Sequence, residues 1–265
     1  MNASELFKAG KLTEAVTAQT QEVKAQPGDQ GKRLFLFELL AFAGDLERAR
    51  RQIGAMTSED PELAAATTAY RQLLEAEEAR RRLFRDGLRP EFLIDPPSHV
   101  RRRLEAVNRL REGNVGEAAA ELAKAEEERP ATAGTLNGKA FDHVRDCDDL
   151  LAGVVEVMAQ GKYFWLALEQ IESLAANAPA TPRDLLWLPA HLSVRNGPEG
   201  DVFLPALYPN SHEHVDDAIK LGRATDWKGA EGGPTQGAGL KLFLCGDNDI
   251  SILEWRQLEM TPPSA

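Results

Sequence analysis

Ala9-Gly10-Lys11-Leu12-Thr13-Glu14-Ala15, Ala43-Gly44-Asp45-Leu46-Glu47-Arg48-Ala49 and Glu112-Gly113-Asn114-Val115-Gly116-Glu117-Ala118 are three versions of one turn. Each puts glycine where a helix has to stop, and an acid followed by alanine where the next helix begins against it. The glycines stand 34 and 69 residues apart, close to one and two periods of the tetratricopeptide repeat of about 34 residues. A degenerate repeat is expected in the gap between the second and third turns. Leu34, Leu36, Leu39, Leu40 and Phe42 supply an apolar face before the second turn, and Leu46, Ala49 and Ile53 continue it. One hairpin leaves a hydrophobic flank that only its neighbour can cover, so such hairpins stack into a curved solenoid. The concave side of a solenoid is a natural groove for a partner helix.

Outward from these turns, residues 1–130 read as a tetratricopeptide-like helical repeat domain. Gly87 to Pro97 interrupts it as an ordered connector, because Pro90, Pro96 and Pro97 cannot sit inside a helix. Arg129-Pro130 marks a boundary, and residues 131–265 read as a smaller mixed domain. Helices are expected there to about residue 178. The first carries Phe141, Val144, Leu150, Leu151, Val154, Val155 and Met158 at helical spacings and ends near Gly161, and a second runs from Phe164 to Leu174. After Pro179 the chain becomes β-rich. Leu188 to Val194 and Val202 to Leu207 flank a turn at 195–200, and Leu240 to Cys245 and Ile250 to Trp255 flank another at 246–249. Residues 231–239 read as a loop and Thr261 to Ala265 as a tail. The expected class is α+β, with an antiparallel sheet or partial barrel following the helical repeats.

With 43% hydrophobic residues in 265, the chain can bury a core. A net charge of −11 argues against nucleic acid or an anionic membrane as partner. No window reaches the roughly 18 apolar residues of a membrane span, and the first residues do not read as a signal peptide. Two distant cysteines, Cys147 and Cys245, suit a reducing cytoplasm. Inside this acidic chain, Arg80 to Arg111 form a basic island of ten arginines against four acids. Its two readings are a solvated helix face with internal ion pairs and a docking patch for an acidic partner.

Chemistry-bearing clusters are few. His212-Glu213-His214-Val215-Asp216 gathers possible metal ligands without the HExxH spacing, so a metal-dependent hydrolase using His212, His214 and Asp216 is the alternative to a non-enzymatic protein. Asp142, Asp146 and Asp149 would share one face if their segment were helical. Acids beside Cys147 raise its pKa and disfavour a reactive thiolate. No GxSxG, GxGxxG or GxxxxGK[ST] occurs, and no cofactor is expected. Arg183-Asp184-Leu185-Leu186-Trp187 and Arg223-Ala224-Thr225-Asp226-Trp227 look like two copies of one device: a guanidinium–carboxylate pair beside a large indole. With Tyr208 these residues are candidates for a buried network or a binding hot spot.

At these residues the sequence resembles the ImpE, or TagJ, family encoded with bacterial type VI secretion systems. The resemblance is carried by Arg145-Asp146-Cys147-Asp148-Asp149-Leu150-Leu151, Gly161-Lys162-Tyr163-Phe164-Trp165, Arg183 to Trp187, Gly197-Pro198-Glu199-Gly200, Leu204-Pro205-Ala206-Leu207-Tyr208-Pro209-Asn210-Ser211 and Leu221-Gly222 followed by Arg223 to Trp227. In the first half the match is mainly the repeat-like layout. Cys147 departs from the small residue expected there. The resemblance implies a tetratricopeptide-like N-terminal region and no catalytic activity. It implies a cytoplasmic adaptor that binds a helix of the small contractile-sheath subunit and assists disassembly by the ATPase that recycles the sheath.

Overall fold

The computed structural model describes residues 1–56 and 61–262; Pro263, Ser264 and Ala265 of the expected tail lie outside the described residues. Seven helices come first: α1 (Ala3–Lys8), α2 (Leu12–Ala25), α3 (Gln30–Phe42), α4 (Leu46–Gly54), α5 (Pro61–Asp86), α6 (Ser98–Arg111) and α7 (Val115–Glu128). The three related turns have one geometry. Gly10, Gly44 and Gly113 adopt φ of 79°, 79° and 81°, and the following N–H reaches back to the helix it leaves. Lys11 N donates to Leu6 O at 3.0 Å, Asp45 N to Leu40 O at 2.9 Å and Asn114 N to Arg109 O at 2.8 Å, the six-to-one bond of a left-handed helix stop. Ala15, Ala49 and Ala118 are fully buried where the paired helices cross.

The expected degenerate repeat is absent. A third turn would fall near residue 78, but α5 runs unbroken through it for 26 residues. No glycine or proline interrupts 62–86, and Tyr70, Leu73, Leu74 and Phe84 keep one apolar stripe in phase with the helix. Gly87, at φ 75°, ends it. The connector then bonds to a strand edge, with Glu91 N donating to Tyr163 O at 2.9 Å and Trp165 N to Glu91 O at 3.1 Å.

The remainder is built on β1 (Gly134–Leu136), β2 (Lys139–Phe141), β3 (Val144–Asp146), β4 (Val154–Ala159), β5 (Lys162–Ala167), β6 (Ile171–Ala176), β7 (Trp187–Val194) and β8 (Glu199–Pro205). They are followed by helix α8 (Asp217–Lys220) and by β9 (Thr225–Lys228), β10 (Gln236–Gly239), β11 (Leu242–Cys245), β12 (Asn248–Ser251) and β13 (Gln257–Met260). The main sheet has eight antiparallel strands in the order β2-β1-β13-β6-β7-β8-β4-β5, with a three-stranded sheet β12-β11-β3 and the pair β10-β9 beside it. It does not close into a barrel. The hairpin expected around 195–200 is β7–β8, and the one around 246–249 is β11–β12, although Trp255 lies beyond its strand.

The helices expected between Asn137 and Leu174 are strands instead. In β4, Val154 and Met158 face the core against α5 while Val155 and Val157 face the opposite core; in β5, Tyr163, Trp165 and Ala167 alternate with Phe164 and Leu166. A strand buried on both faces is apolar at every position, so its period of two disappears. The informative signals were the dipeptides Asn137-Gly138 and Gln160-Gly161, whose φ values of 53° and 78°, and 50° and 79°, close two-residue hairpins. The three acids expected on one helical face are accordingly separated: Asp142 is exposed, Asp146 is buried at the end of β3, and Asp149 pairs with Arg145 at 2.8 Å.

One apolar core crosses the whole molecule. Leu36, Phe37 and Leu40 of α3, Leu73 and Leu74 of α5 and Val107 of α6 pack in the same cluster as Val154, Met158, Trp165, Trp187 and Tyr208. A second contact joins Leu6, Leu12, Leu39 and Phe42 to Leu207 and Leu221. The apolar flank of the first hairpins is therefore covered by the chain's own second half.

Candidate functional site

The seam between helices and sheet is where the sequence's candidate residues fall. Arg183 and Asp184 pair as expected, but with Nε and Nη2 both donating to the single oxygen Oδ1, at 3.0 and 2.6 Å. The other carboxylate oxygen accepts from the N–H groups of Ala180 and Thr181, both at 2.9 Å. Burial works against ionisation of Asp184, but these bonds hold its pKa below the usual carboxylate range. The Arg183 guanidinium lies over the rings of Tyr70, 5.3 Å away, and Phe203, 5.5 Å away. Its backbone N–H points at Glu38 of α3 at 3.4 Å, and burial pushes the Glu38 carboxyl up to about 7. Trp187 is buried, its ring 6.4 Å from Phe37 and its indole N–H 3.5 Å from Glu77.

The second group does not repeat the first. Arg223 leaves Asp226 and caps α1, donating to Lys8 O at 2.8 Å and Phe7 O at 2.5 Å. Asp226 pairs with His214 at 3.1 Å, and Trp227 stays 41% exposed with its ring 5.7 Å from Tyr208. The first group is thus a clasp between α3, α5 and β7, and the second a clasp on the end of α1. Both join the two halves of the sequence.

His212, His214 and Asp216 do not converge. The His212 ring packs over Gly44, where a Cβ would come within 2.1 Å of it; burial, then Arg81, lowers its pKa to about 4. His214 faces Asp226, and Asp216 caps α8 by accepting from Ala218 N at 2.8 Å. Among the described residues no group of three or more His, Cys, Asp or Glu side chains is placed to hold a metal ion, so the arrangement gives the hydrolase alternative no ligand set. The Cys147 thiol is pushed up to about 11 by burial, with Asp146 adding to it.

Sequence reasoning missed the centre of the seam, a buried ionic network. Arg80 of α5 grips Glu156 of β4 through Nε at 2.6 Å and Nη2 at 2.9 Å, and also donates to Leu207 O at 2.8 Å. Lys241 bridges Glu156 at 2.8 Å and Asp146 at 3.0 Å. Tyr163 donates to Glu156 at 2.5 Å, and Tyr208 donates to Asp146 at 2.8 Å. Burial opposes the Glu156 charge, but Arg80 and Lys241 hold its pKa down at about 2. Asp148, buried beside Asp146, is pushed up to about 7 by burial and by that neighbour. The two cations, Arg80 and Lys241, thus meet the carboxylates of Glu156 and Asp146, as a buried network requires. The signal was present: Glu156 is the single charge in Val-Val-Glu-Val-Met, and Lys241 stands in Gly-Leu-Lys-Leu-Phe. The cavity beside the network, under Trp187 and His212, is about 30 Å³, room for about one water.

A profile of the ImpE protein family matches residues 138–259, which hold every member of the network except Arg80. Over its whole length the chain is 35% identical to the type VI secretion system accessory component TagJ of Pseudomonas aeruginosa, covering 93% of that protein. The chain belongs to the ImpE/TagJ family. A crystal structure of a Vibrio parahaemolyticus protein superposes on this ImpE/TagJ chain with a TM-score of 0.89, at 26% identity, across 98% of this chain and 97% of that one. No described helix is long and apolar enough to cross a membrane.

Proposed function

We propose that the protein is a non-enzymatic, cytoplasmic adaptor of the type VI secretion system. It binds a helix of the small contractile-sheath subunit and assists sheath disassembly by the recycling ATPase. The observation that carries the reading is the end-to-end 35% identity to an accessory component. The buried charges support it physically: they satisfy one another beside a void of about 30 Å³, well below the roughly 300 Å³ of ordinary small-molecule sites. Buried polar chemistry of this kind fixes how the helices sit on the sheet.

Leu207, Leu221 and Trp187 of the second half pack on the first hairpins, so part of the groove a tetratricopeptide-like array would offer is taken up by the chain itself. On this reading a sheath helix docks on a surface those residues leave open, such as the helix–sheet junction. Calorimetric titration with a peptide covering the N-terminal helix of the small sheath subunit is the direct test. Saturable binding near micromolar, about −8 kcal/mol, supports the adaptor role; absence of heat, with no competition by the intact subunit, turns the search to the ATPase.

A further inference from the structure

The structure sorts the ten arginines of the basic island. Arg80 pairs with Glu156, Arg81 with Glu77, Arg82 and Arg85 with Asp86, Arg102 with Glu121 and Glu128, Arg103 with Glu126, and Arg109 with Glu105, Glu112 and Glu117. Seven of the ten are thereby neutralised by the protein's own acids. Arg89, Arg101 and Arg111 have no carboxylate partner among the described residues; Arg111 only donates to the Asn108 amide at 2.9 Å. All three are exposed.

Two of them line one feature, and the third stands at its edge. Arg89 and Arg101 line a cleft of about 200 Å³ between the end of α5, the connector and α6, whose apolar surface is Leu83, Phe92 and Leu104. Arg111, at the far end of α6, lines the neighbouring cleft, but its guanidinium stands beside Gly87 at the edge of this one, where an added Cβ would lie 2.2 Å from Nη1. Glu105, the one acid in the lining, is held by Arg109 at 2.7 Å. Leu88, between Gly87 and Arg89, is 39% exposed, one of few large apolar side chains left open to solvent.

We propose that this cleft docks an acidic amphipathic segment of a partner protein, seating an aliphatic or aromatic side chain on Leu83, Phe92 and Leu104 while its flanking carboxylates meet Arg89, Arg101 and Arg111. A void below the roughly 300 Å³ at which small-molecule sites begin suits one side chain of a longer segment better than a free ligand. Arginine adds planar two-point recognition of carboxylates. The inference rests on the adaptor reading and gives it a location, where α5, the connector and α6 meet.

The test uses the full chain and the charge-reversed variant R89E/R101E/R111E, whose side chains break no ion pair and whose thermal melting should match the wild type. Binding of the purified small sheath subunit is expected to weaken roughly tenfold or more in the variant, and wild-type binding to weaken as salt rises from about 50 to 300 mM. Equal binding by wild type and variant overturns the cleft as the docking site and leaves the adaptor reading intact. If the wild type binds no sheath subunit, that reading fails. The cleft is then judged by fluorescence anisotropy with a synthetic helical peptide of glutamate and leucine: saturable binding lost in the variant supports it, and absence of wild-type binding overturns it.

Discussion

At the residue scale, the seam is a set of buried charges whose neighbours decide their state. Glu156 stays ionised because Arg80 and Lys241 surround it, so removing its charge strands two buried cations. Glu156→Gln should destabilise the protein by about 3–5 kcal/mol, read from urea unfolding with fluorescence of Trp165, which lies in the same network. Glu38 is the opposite case. Its folded pKa of about 7 exceeds the ordinary 4.5, so between those values the folded state binds more protons than the unfolded one, and stability falls as pH rises through that window. His212, lowered to about 4, acts in the other sense, its contribution growing as pH rises from 4 to the ordinary 6.5. Glu38→Gln isolates the first effect. The variant should gain on the wild type by an amount that grows from near zero at acid pH to on the order of 2 kcal/mol above neutrality. A constant offset between about pH 5 and 8 would show that Glu38 is ionised throughout that range in the folded protein.

At the element scale, the three glycine turns test how the hairpins meet the sheet domain. Alanine at a left-handed position costs about 1 kcal/mol by backbone strain alone. A Cβ added at Gly113 would meet nothing within 4 Å, whereas one added at Gly44 would lie 2.1 Å from the His212 ring. Gly44→Ala should therefore cost at least about 1 kcal/mol more than Gly113→Ala, and His212→Ala should remove much of the excess in a double-mutant cycle. Equal costs would mean that the 211–214 segment does not rest on the second turn. These turns were legible because a left-handed stop needs glycine, and glycine at a repeated spacing survives in the sequence as a mark. Strands β4 and β5 were not legible: sandwiched between two cores, they carry apolar residues on both faces apart from Glu156 and the terminal Lys162, and only their two-residue turns betrayed them.

At the scale of the whole molecule, the core shared by α3, α5, α6 and the sheet predicts joint unfolding. We propose that residues 1–130 and 131–265, distinguishable by composition, melt in a single calorimetric transition with matching calorimetric and van't Hoff enthalpies. Two resolved transitions would establish them as independent domains. The candidate residues divide by the same logic. Arg183, Asp184 and Trp187 were findable because arginine, acid and tryptophan close together have few roles; that Arg223 would abandon Asp226 for the carbonyls of Phe7 and Lys8 was not, since those partners lie more than two hundred residues away. By itself the sequence determined the hairpin turns, the two late hairpins, the family and the acidic balance, all of which depend on local backbone demands or on composition. Only the tertiary structure decided that α5 spans a repeat, that 137–174 is sheet, that the first hairpins are covered by the chain's own second half, and which three arginines of the basic island have no carboxylate partner among the described residues. Each of those depends on which distant surface covers a given side chain, and burial against a distant surface leaves no periodic trace along the chain.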